Sequence, residues 1–302
     1  MKEKPVMLSQ MNQEMGSGIR AFTMMTTENQ IAYLKLYNAY DCDSTDWSSR
    51  MRIDLENVIN WISVTGANDL CGLSPEMVVK ICQIYHTNNF DSGLYQNMSR
   101  FNHSCHPNGH YFWDTATGTK ELRAFMDIKK GEEITLTYMP FWTETREERR
   151  AILKEGYNFH CKCDACDITE EEVQKETWDC ELFKEEEKKR NEFKGTREGM
   201  LQEASCLKRM YKLGREMKGM NRNHFLGEIV EGLFHVSCQA YASTSSFNPN
   251  EKARLIKDVN IFASTGLKMA TKLFGDTEPG ALLWRARKED PVKYFRKKNG
   301  GL

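Results

Sequence analysis

Residues Phe101-Asn102-His103-Ser104-Cys105-His106-Pro107-Asn108 form a polar stretch within this chain of 302 residues. Short polar side chains of this kind hydrogen-bond to nearby backbone groups, and Pro107 has no amide proton to donate. The stretch is therefore predicted to be an ordered polar loop, not a core helix or strand. Binding residues concentrate on loops held by a scaffold, so a functional loop and a simple turn both stay open here.

The next part of the chain alternates apolar and polar residues, which is typical of β-strands. This alternation occurs from Leu122 to Met126 and again in Gly131-Glu132-Glu133-Ile134-Thr135-Leu136-Thr137-Tyr138. The Lys129-Lys130-Gly131 sequence between them favours a turn. We predict two strands joined by a turn. A tyrosine at the end of a strand, such as Tyr138, is usually a half-buried aromatic residue.

Three cysteines crowd into the segment Cys161-Lys162-Cys163-Asp164-Ala165-Cys166. Zinc prefers four tetrahedral Cys or His ligands, so three thiolates this close predict most of a structural zinc site. The fourth ligand must come from elsewhere, and two candidates are open. His160 is adjacent but poorly placed to share a metal with its neighbour, whereas Cys105 is distant in sequence. Three unmetallated thiols on a surface turn are less favoured, because they would oxidise.

Composition narrows the function classes. The chain is 40% hydrophobic and 28% charged, with a formal net charge of -1. No apolar run approaches the length of a membrane span, so an integral membrane protein is excluded. The near-neutral charge offers no basic field for a nucleic-acid backbone. The N terminus does not have the pattern of a secretory signal, and ten cysteines in a reducing compartment are more often thiols or metal ligands than disulfides.

Helical patterns flank the polar loop and the strands. Before them, amphipathic helices are predicted over Thr27–Tyr40, Ile53–Val64 and Pro75–Tyr85. After them, Thr145–Leu153 is predicted to be a helix with Thr145 and Glu148 as a capping box. Glu170–Lys194 is predicted to be a solvated linking helix, since it is dense in Glu and Lys. Further amphipathic helices are predicted over Leu201–Met217, His224–Tyr241 and Glu251–Phe274.

Together, and in this order, the 101–108 loop, the 131–138 segment and the cysteine segment resemble the motifs of SET-domain protein lysine methyltransferases. The similarity is greatest to the SET and MYND family and its relatives, and covers roughly residues 87–167. It implies an α+β fold with a SET-type β core over residues 1–140 and a helical insertion over 20–90. A zinc-bound post-SET segment over 141–168 and an all-α, tetratricopeptide-like domain over 169–302 would follow.

The resemblance also implies roles for individual residues. Asn102 and His103 would contact S-adenosylmethionine, and Tyr138 would be the catalytic tyrosine and touch the cofactor. Tyr157 and Phe159 would line the cofactor and the channel that admits the lysine. The implied zinc ligands are Cys105, Cys161, Cys163 and Cys166.

The expected reaction is methyl transfer from S-adenosylmethionine to the ε-amine of a lysine in a histone or non-histone protein. We expect a monomer in the nucleus or the cytoplasm, with no direct contact to nucleic acid or membrane.

Two elements of the family pattern are not evident in the sequence. The Gly16-Ser17-Gly18 sequence has the spelling of the family's Gly-x-Gly turn, but we interpret it as an ordinary loop. No Cys/His array of MYND type precedes Cys105. The chain is therefore expected to be a fragment without its N-terminal region, or a divergent protein with an incomplete cofactor site. The alternative function is a catalytically inactive SET-like zinc protein that binds a partner. In a third class, a zinc-binding helical adaptor, the resemblance to SET domains would be accidental. This would require three motifs to occur in the family's order by coincidence.

Overall fold

The structure is a computed structural model, and it describes residues 2–3, 7–8, 15–42, 48–65, 72–90, 93–114, 117–124, 126–139, 143–193, 195–217, 222–244, 248–276 and 278–291. The described residues between 15 and 88 are mostly helical. Its helices are α1 (Met15–Thr23), α2 (Thr27–Leu34), α3 (Ser49–Thr65) and α4 (Pro75–Asn88). Thr26 and Ser74 cap α2 and α4, each accepting a hydrogen bond from a first-turn amide.

The strands are short and form three small sheets. They are β1 (Lys2–Glu3), β2 (Met7–Leu8), β3 (Asn89–Phe90), β4 (Gly93–Leu94), β5 (Asn102–His103), β6 (Gly109–Asp114), β7 (Thr119–Ala124) and β8 (Thr135–Leu136). One sheet has the antiparallel order β1-β7-β6 and a second the antiparallel order β2-β4-β3. The third pairs β5 with β8 in parallel.

The second half of the described chain is helical. Its helices are α5 (Arg146–Tyr157), α6 (Glu170–Glu192), α7 (Arg197–Glu216), α8 (Arg222–Ser243), α9 (Pro249–Phe274) and α10 (Pro279–Glu289). From α6 onward each helix packs against the next one in the sequence. Apolar side chains such as Phe183, Leu207 and Phe234 are fully buried between them. The tetratricopeptide-like arrangement and the domain limits remain predictions. No described helix has the length and apolarity that crossing a membrane requires.

The end of α9 contacts the sheet that contains β6 and β7. The ring of Phe274, at the end of α9, packs edge-on against Phe112 on β6 with ring centroids 5.8 Å apart. The Arg123 guanidinium on β7 donates a hydrogen bond to the Phe274 carbonyl and lies over the Phe112 ring. The end of α9 is therefore anchored on the β6–β7 hairpin.

The two predicted strands and the turn between them form, but the prediction of a loop throughout residues 101–108 is wrong. The first strand is β7, which begins and ends earlier than the predicted Leu122–Met126, and the second is the two-residue β8. These strands do not pair with each other. The partner of β7 is β6, and the partner of β8 is β5, inside the stretch predicted to be a loop throughout. Apolar alternation identifies strands, but their pairing depends on contacts between segments distant in sequence.

The predicted loop at Gly16-Ser17-Gly18 is also wrong, because these residues lie in α1. The reason lies in packing. Ile19 and Phe22 of the same helix are almost fully buried in a core with Tyr33 and Ile81, and this burial outweighs the low helix propensity of glycine.

The helical predictions are mostly confirmed, with three corrections. Helix α6 is not a solvated linker, since Phe183 and Cys180 are buried in a core shared with α7 and α8. Helix α10 was not predicted. The helix at Thr27 ends at Leu34, earlier than expected.

Candidate active site and cysteine cluster

The parallel pairing of β5 with β8 brings two of the sequence motifs side by side. Asn102 lies opposite Thr135 and His103 opposite Leu136, which is fully buried. The pairing continues past the strand, because the Ser104 amide donates a 2.9 Å hydrogen bond to the Leu136 carbonyl. The polar loop is therefore positioned by the segment that ends in Tyr138.

Asn108 ties the other end of the polar loop to the same segment. Its side-chain oxygen accepts a 2.9 Å hydrogen bond from the Thr135 amide, and its amide group donates a 2.9 Å bond to the Glu133 carbonyl. A methyl group at the following Gly109 would lie 3.2 Å from the Thr135 carbonyl oxygen, so the two backbones approach closely here. Sequence reasoning placed Asn108 in the motif without assigning this role.

His103 and Tyr138 are in direct contact. The Tyr138 amide donates a 3.1 Å hydrogen bond to Nδ1 of His103, and Nε2 of the same ring lies 3.3 Å from the sulfur of Cys105. An amide can only donate, so Nδ1 is the unprotonated nitrogen and Nε2 carries the ring proton. The histidine therefore donates toward Cys105 while it accepts from Tyr138.

The Tyr138 hydroxyl is fixed by the backbone. It donates a 2.8 Å hydrogen bond to the carbonyl of Phe101, just before β5. Burial raises the pKa of Tyr138 above its usual value, and the neighbouring Tyr157, Tyr37 and Glu133 raise it further. The phenol is therefore neutral at physiological pH.

Four half-buried rings, those of His103, Tyr138, Tyr157 and Phe159, form what we call the aromatic cluster. The centroids of Tyr138 and Tyr157 are 4.9 Å apart, and Phe159 lies 6.0 Å from His103 and 6.2 Å from Tyr138. Asn102 precedes His103 on β5, and its exposed side chain donates a 2.6 Å hydrogen bond to Glu133. Four of the expected site residues are thus gathered in the aromatic cluster.

A segment that sequence analysis did not assign to the site also reaches it. The hydroxyl of Tyr37, after α2, donates a 3.4 Å hydrogen bond to the Tyr157 carbonyl. The next residue, Asn158, has a left-handed backbone with φ of 54° and donates a 3.3 Å hydrogen bond to the Ala39 carbonyl. The positive φ ends α5 and turns the chain toward Phe159. The helical periodicity around Tyr37 gave no signal of this contact.

The sulfur atoms of Cys105, Cys161, Cys163 and Cys166 all lie within 4.8 Å of one another. The Cys105 sulfur is 3.9 Å from that of Cys161 and 3.6 Å from that of Cys166. A tetrahedral zinc ion with Zn–S bonds of about 2.3 Å would place its sulfurs roughly 3.8 Å apart. The four thiols therefore fit the ion. His160, the other sequence candidate, is exposed and lies outside this group.

The thiols of this cysteine cluster do not titrate alike. Hydrogen bonds with Cys105 lower the pKa of Cys161, and they lower the pKa of Cys163 to about 6. The same contacts, led by Cys161, raise the pKa of Cys105. Thiolate is the form that binds metal.

Two arginines of α5 hold the backbone around the cysteine cluster. Arg150 donates to the carbonyl of Cys161 at 3.1 Å and to that of Cys166 at 2.8 Å. The buried Arg149 donates to the Ala165 carbonyl at 3.0 Å. Neither arginine was singled out from the sequence, because an Arg-rich helix is equally typical of a solvated face.

The amino-acid sequence of this region matches a known domain family. Residues 8–139 match the SET domain family, and the matched region includes β5, β8 and Tyr138. The chain therefore carries a SET domain and is related to the SET and MYND proteins and to SET5, as the following relatives show.

Three curated relatives illustrate this similarity. The histone-lysine N-methyltransferase SET5 of Meyerozyma guilliermondii is 39% identical over 84 residues, which are 27% of this chain and 17% of the relative. The human histone-lysine N-methyltransferase SMYD3 is 38% identical over 93 residues, 31% of this chain and 21% of the relative. The chicken protein-lysine N-trimethyltransferase SMYD5 is 39% identical over 103 residues, 30% and 24% of the two chains. The chain thus spans about a quarter or less of these relatives.

Proposed function

We propose that this chain transfers a methyl group from S-adenosylmethionine to the ε-amine of a lysine in a protein substrate. The observation that carries the proposal is the hydrogen bond between the Tyr138 amide and the His103 ring. It joins the residue expected to be catalytic to a residue expected to bind the cofactor, inside one aromatic cluster. The lysine methyltransferase activities in the names of the relatives support the same reaction.

Asn102 and His103 would hold the cofactor, with Tyr157 and Phe159 beside them. The chemistry of these side chains suits S-adenosylmethionine, which supplies a methyl group on a positively charged sulfur. Aromatic faces attract cations, and the exposed Asn102 amide offers both donors and an acceptor.

Tyr138 would orient the substrate amine without acting as a base. Its neutral hydroxyl already donates to the Phe101 carbonyl, so the lone pairs of its oxygen remain as acceptors for an amine N–H. Aromatic walls disfavour a charged ammonium and lower the pKa of the incoming lysine, which favours the neutral nucleophile. Alignment and desolvation of that amine are what an in-line methyl transfer needs.

Cys105, Cys161, Cys163 and Cys166 would hold a structural zinc ion. Such an ion would perform no chemistry. It would tie the polar loop, through Cys105, to the segment after Phe159, and both segments contribute to the aromatic cluster.

The partner is a lysine-bearing protein, histone or non-histone, which the chain would meet as a monomer in the nucleus or the cytoplasm. The activities in the names of the relatives support a protein substrate.

The test is calorimetric titration of S-adenosylmethionine into the purified, zinc-loaded chain. His103→Ala is the test variant, and His86→Ala, an exposed histidine on α4, is the matched control. We expect micromolar-range binding, about -8 kcal/mol, by the wild type and the control, and binding at least roughly tenfold weaker in His103→Ala. Radiolabelled methyl transfer to substrate proteins then tests the reaction.

A folded, zinc-loaded wild-type chain that does not bind S-adenosylmethionine would contradict the proposal. The non-catalytic, partner-binding role would then be favoured.

A further inference from the structure

A buried ion pair joins α5, the helix beside the cysteine cluster, to α6, the next helix along the chain. Nη1 of Arg149 on α5 lies 3.0 Å from Oε1 of Glu176 on α6. The side chains are 1% and 9% exposed, which distinguishes this pair from surface ion pairs of little energetic value.

Arg149 reaches the cysteine cluster from this pair. Its Nη2 donates a 3.0 Å hydrogen bond to the Ala165 carbonyl and lies 4.0 Å from the sulfur of Cys166. Its Nη1 also donates to the Glu144 carbonyl at 2.7 Å. A zinc ion with four thiolates carries a net charge of about -2, which a buried guanidinium at this distance would stabilise.

The carboxylate of Glu176 contacts the backbone of α5 as well as Arg149. Its Oε2 accepts a 2.8 Å hydrogen bond from the Arg146 amide in the first turn of α5. The carboxylate thus satisfies a free amide at a helix N terminus, where a negative charge is favourable, while it neutralises Arg149. Glu176 contacts no cysteine directly in any of these bonds.

Removal of the Glu176 charge would leave the Arg149 guanidinium buried without its counter-charge, which is costly. The guanidinium would then be expected to move toward solvent and release the Ala165 carbonyl between Cys163 and Cys166. The spacing of the thiols would no longer be fixed. Contacts around metal ligands commonly change metal affinity by about 10- to 100-fold.

We infer that Glu176 is a positioning residue for the zinc site: through Arg149 it holds the 163–166 loop in the geometry that retains the ion. This inference rests on the proposed zinc site. Zinc retention would then depend on the docking of α6 against α5, which makes α6 part of the metal site's support.

The experiment measures zinc affinity of the full chain by competition with a chromophoric chelator, and the spectrum of the cobalt-substituted protein. The test variants are Glu176→Gln, which keeps the shape but removes the charge, and Glu176→Asp, which keeps the charge. The matched control is Glu170→Gln, because Glu170 also pairs with an α5 arginine, at 3.4 Å from Arg146, but is 84% exposed. Circular dichroism and thermal unfolding show whether each variant folds.

Glu176→Gln is expected to weaken zinc binding by about 10- to 100-fold and to alter the cobalt thiolate spectrum, with partial recovery in Glu176→Asp. The control should match the wild type. Glu176→Gln with lowered thermal stability but zinc affinity within twofold of the wild type would overturn the inference and show a purely structural pair. If Glu176→Gln does not fold, Arg149→Lys decides on the same twofold criterion, because it keeps a positive charge beside Glu176 but loses the guanidinium that reaches the Ala165 carbonyl. A wild-type chain that binds no zinc would instead overturn the zinc site and this inference together.

Discussion

The imidazole of His103 accepts a 3.1 Å hydrogen bond from the Tyr138 amide at Nδ1 and points Nε2 at the Cys105 sulfur, 3.3 Å away. One ring therefore joins the aromatic cluster to the cysteine cluster. A histidine whose Nε2–H faces a thiolate stabilises the negative charge on that sulfur. The geometry couples His103, an expected cofactor contact, to Cys105, an expected metal ligand. The sequence analysis expected His103 to contact the cofactor and did not predict this link.

The first prediction follows from this link. His103→Ala should weaken zinc binding as well as S-adenosylmethionine binding, by roughly tenfold, because Cys105 loses the donor to its sulfur. Chelator competition measures the zinc affinity, and His86→Ala is again the control. Unchanged zinc affinity in a folded His103→Ala chain would show that the 3.3 Å contact has no influence on the metal.

The second prediction concerns Tyr138→Phe. Loss of the hydroxyl should lower kcat by about 10²- to 10³-fold, the range found when one oriented polar group is removed from an active site. S-adenosylmethionine binding should change little, because the ring and the Tyr138 amide remain. The lost bond to the Phe101 carbonyl should lower the free energy of unfolding by about 1 kcal/mol. Steady-state kinetics and urea unfolding measure the two effects, and near-wild-type kcat would exclude a catalytic role for the hydroxyl.

The third prediction concerns Cys105. Cys105→Ser should lose most bound zinc and unfold at a lower temperature, because the ion would no longer join the polar loop to the 161–166 segment. Cys206→Ser is the matched control, since Cys206 is equally buried but lies in α7, where Arg209 donates a 3.1 Å hydrogen bond to its sulfur. Metal analysis and thermal unfolding measure both. Full zinc content in Cys105→Ser would assign the fourth ligand elsewhere.

The features predicted well from sequence depend on neighbours along the chain. The capping box of Thr145 and Glu148 forms as expected, with both reciprocal hydrogen bonds present, because its partners are three residues apart. The helices from Arg197 to Phe274 likewise follow from periodicity. The fourth thiol at Cys105 could be located only through the family resemblance, since spacing left His160 open as well.

The features that sequence reasoning missed depend on distant partners. Helix α6 looked solvated because it is rich in Glu, yet Glu176 and Glu186 are buried. Their charges are neutralised by Arg149 and Arg209, each more than 20 residues away. The pairing of β5 with β8 was missed for the same reason, because its partner residues are also far apart in the sequence. Composition shows that a segment is charged, but only tertiary contacts decide whether that charge is buried.

The fourth prediction concerns acid stability of the helical second half. Hydrogen bonding to His235, and further to Arg287, lowers the pKa of Glu231 to about 2. A depressed folded-state pKa stabilises the protein above the unfolded value of about 4.3, and this contribution is lost as the pH falls toward 2. Glu231→Gln should therefore be less stable than the wild type at pH 5, and the difference should shrink by pH 2 to 3. Urea unfolding across this range measures it, with Glu228→Gln as the control; a difference independent of pH would contradict the assignment.

The fifth prediction compares alanine substitutions at two glycines of the helical second half, for which we expect opposite effects on stability. Alanine normally stabilises a helix interior by about 1 kcal/mol relative to glycine. Gly227 on α8 has no atom within 4 Å of the place where a methyl group would lie, so Gly227→Ala should raise the free energy of unfolding by roughly that amount. A methyl group at Gly266 on α9 would lie 2.5 Å from ring carbons of Trp284 on α10. That ring is held in place by Phe234, at 5.6 Å, and by Arg287, whose guanidinium lies 4.4 Å from it.

Because the Trp284 ring already packs against Phe234 and Arg287, it cannot give way to the new methyl group at low cost. Gly266→Ala should therefore lower the free energy of unfolding by about 1 to 3 kcal/mol, the cost of overpacking, in spite of its better helix propensity. Urea unfolding of Gly227→Ala and Gly266→Ala measures the change in the free energy of unfolding for each variant. A stabilised Gly266→Ala would mean that α9 and α10 can separate without loss, and that their close contact at this glycine is not what holds α10 in place.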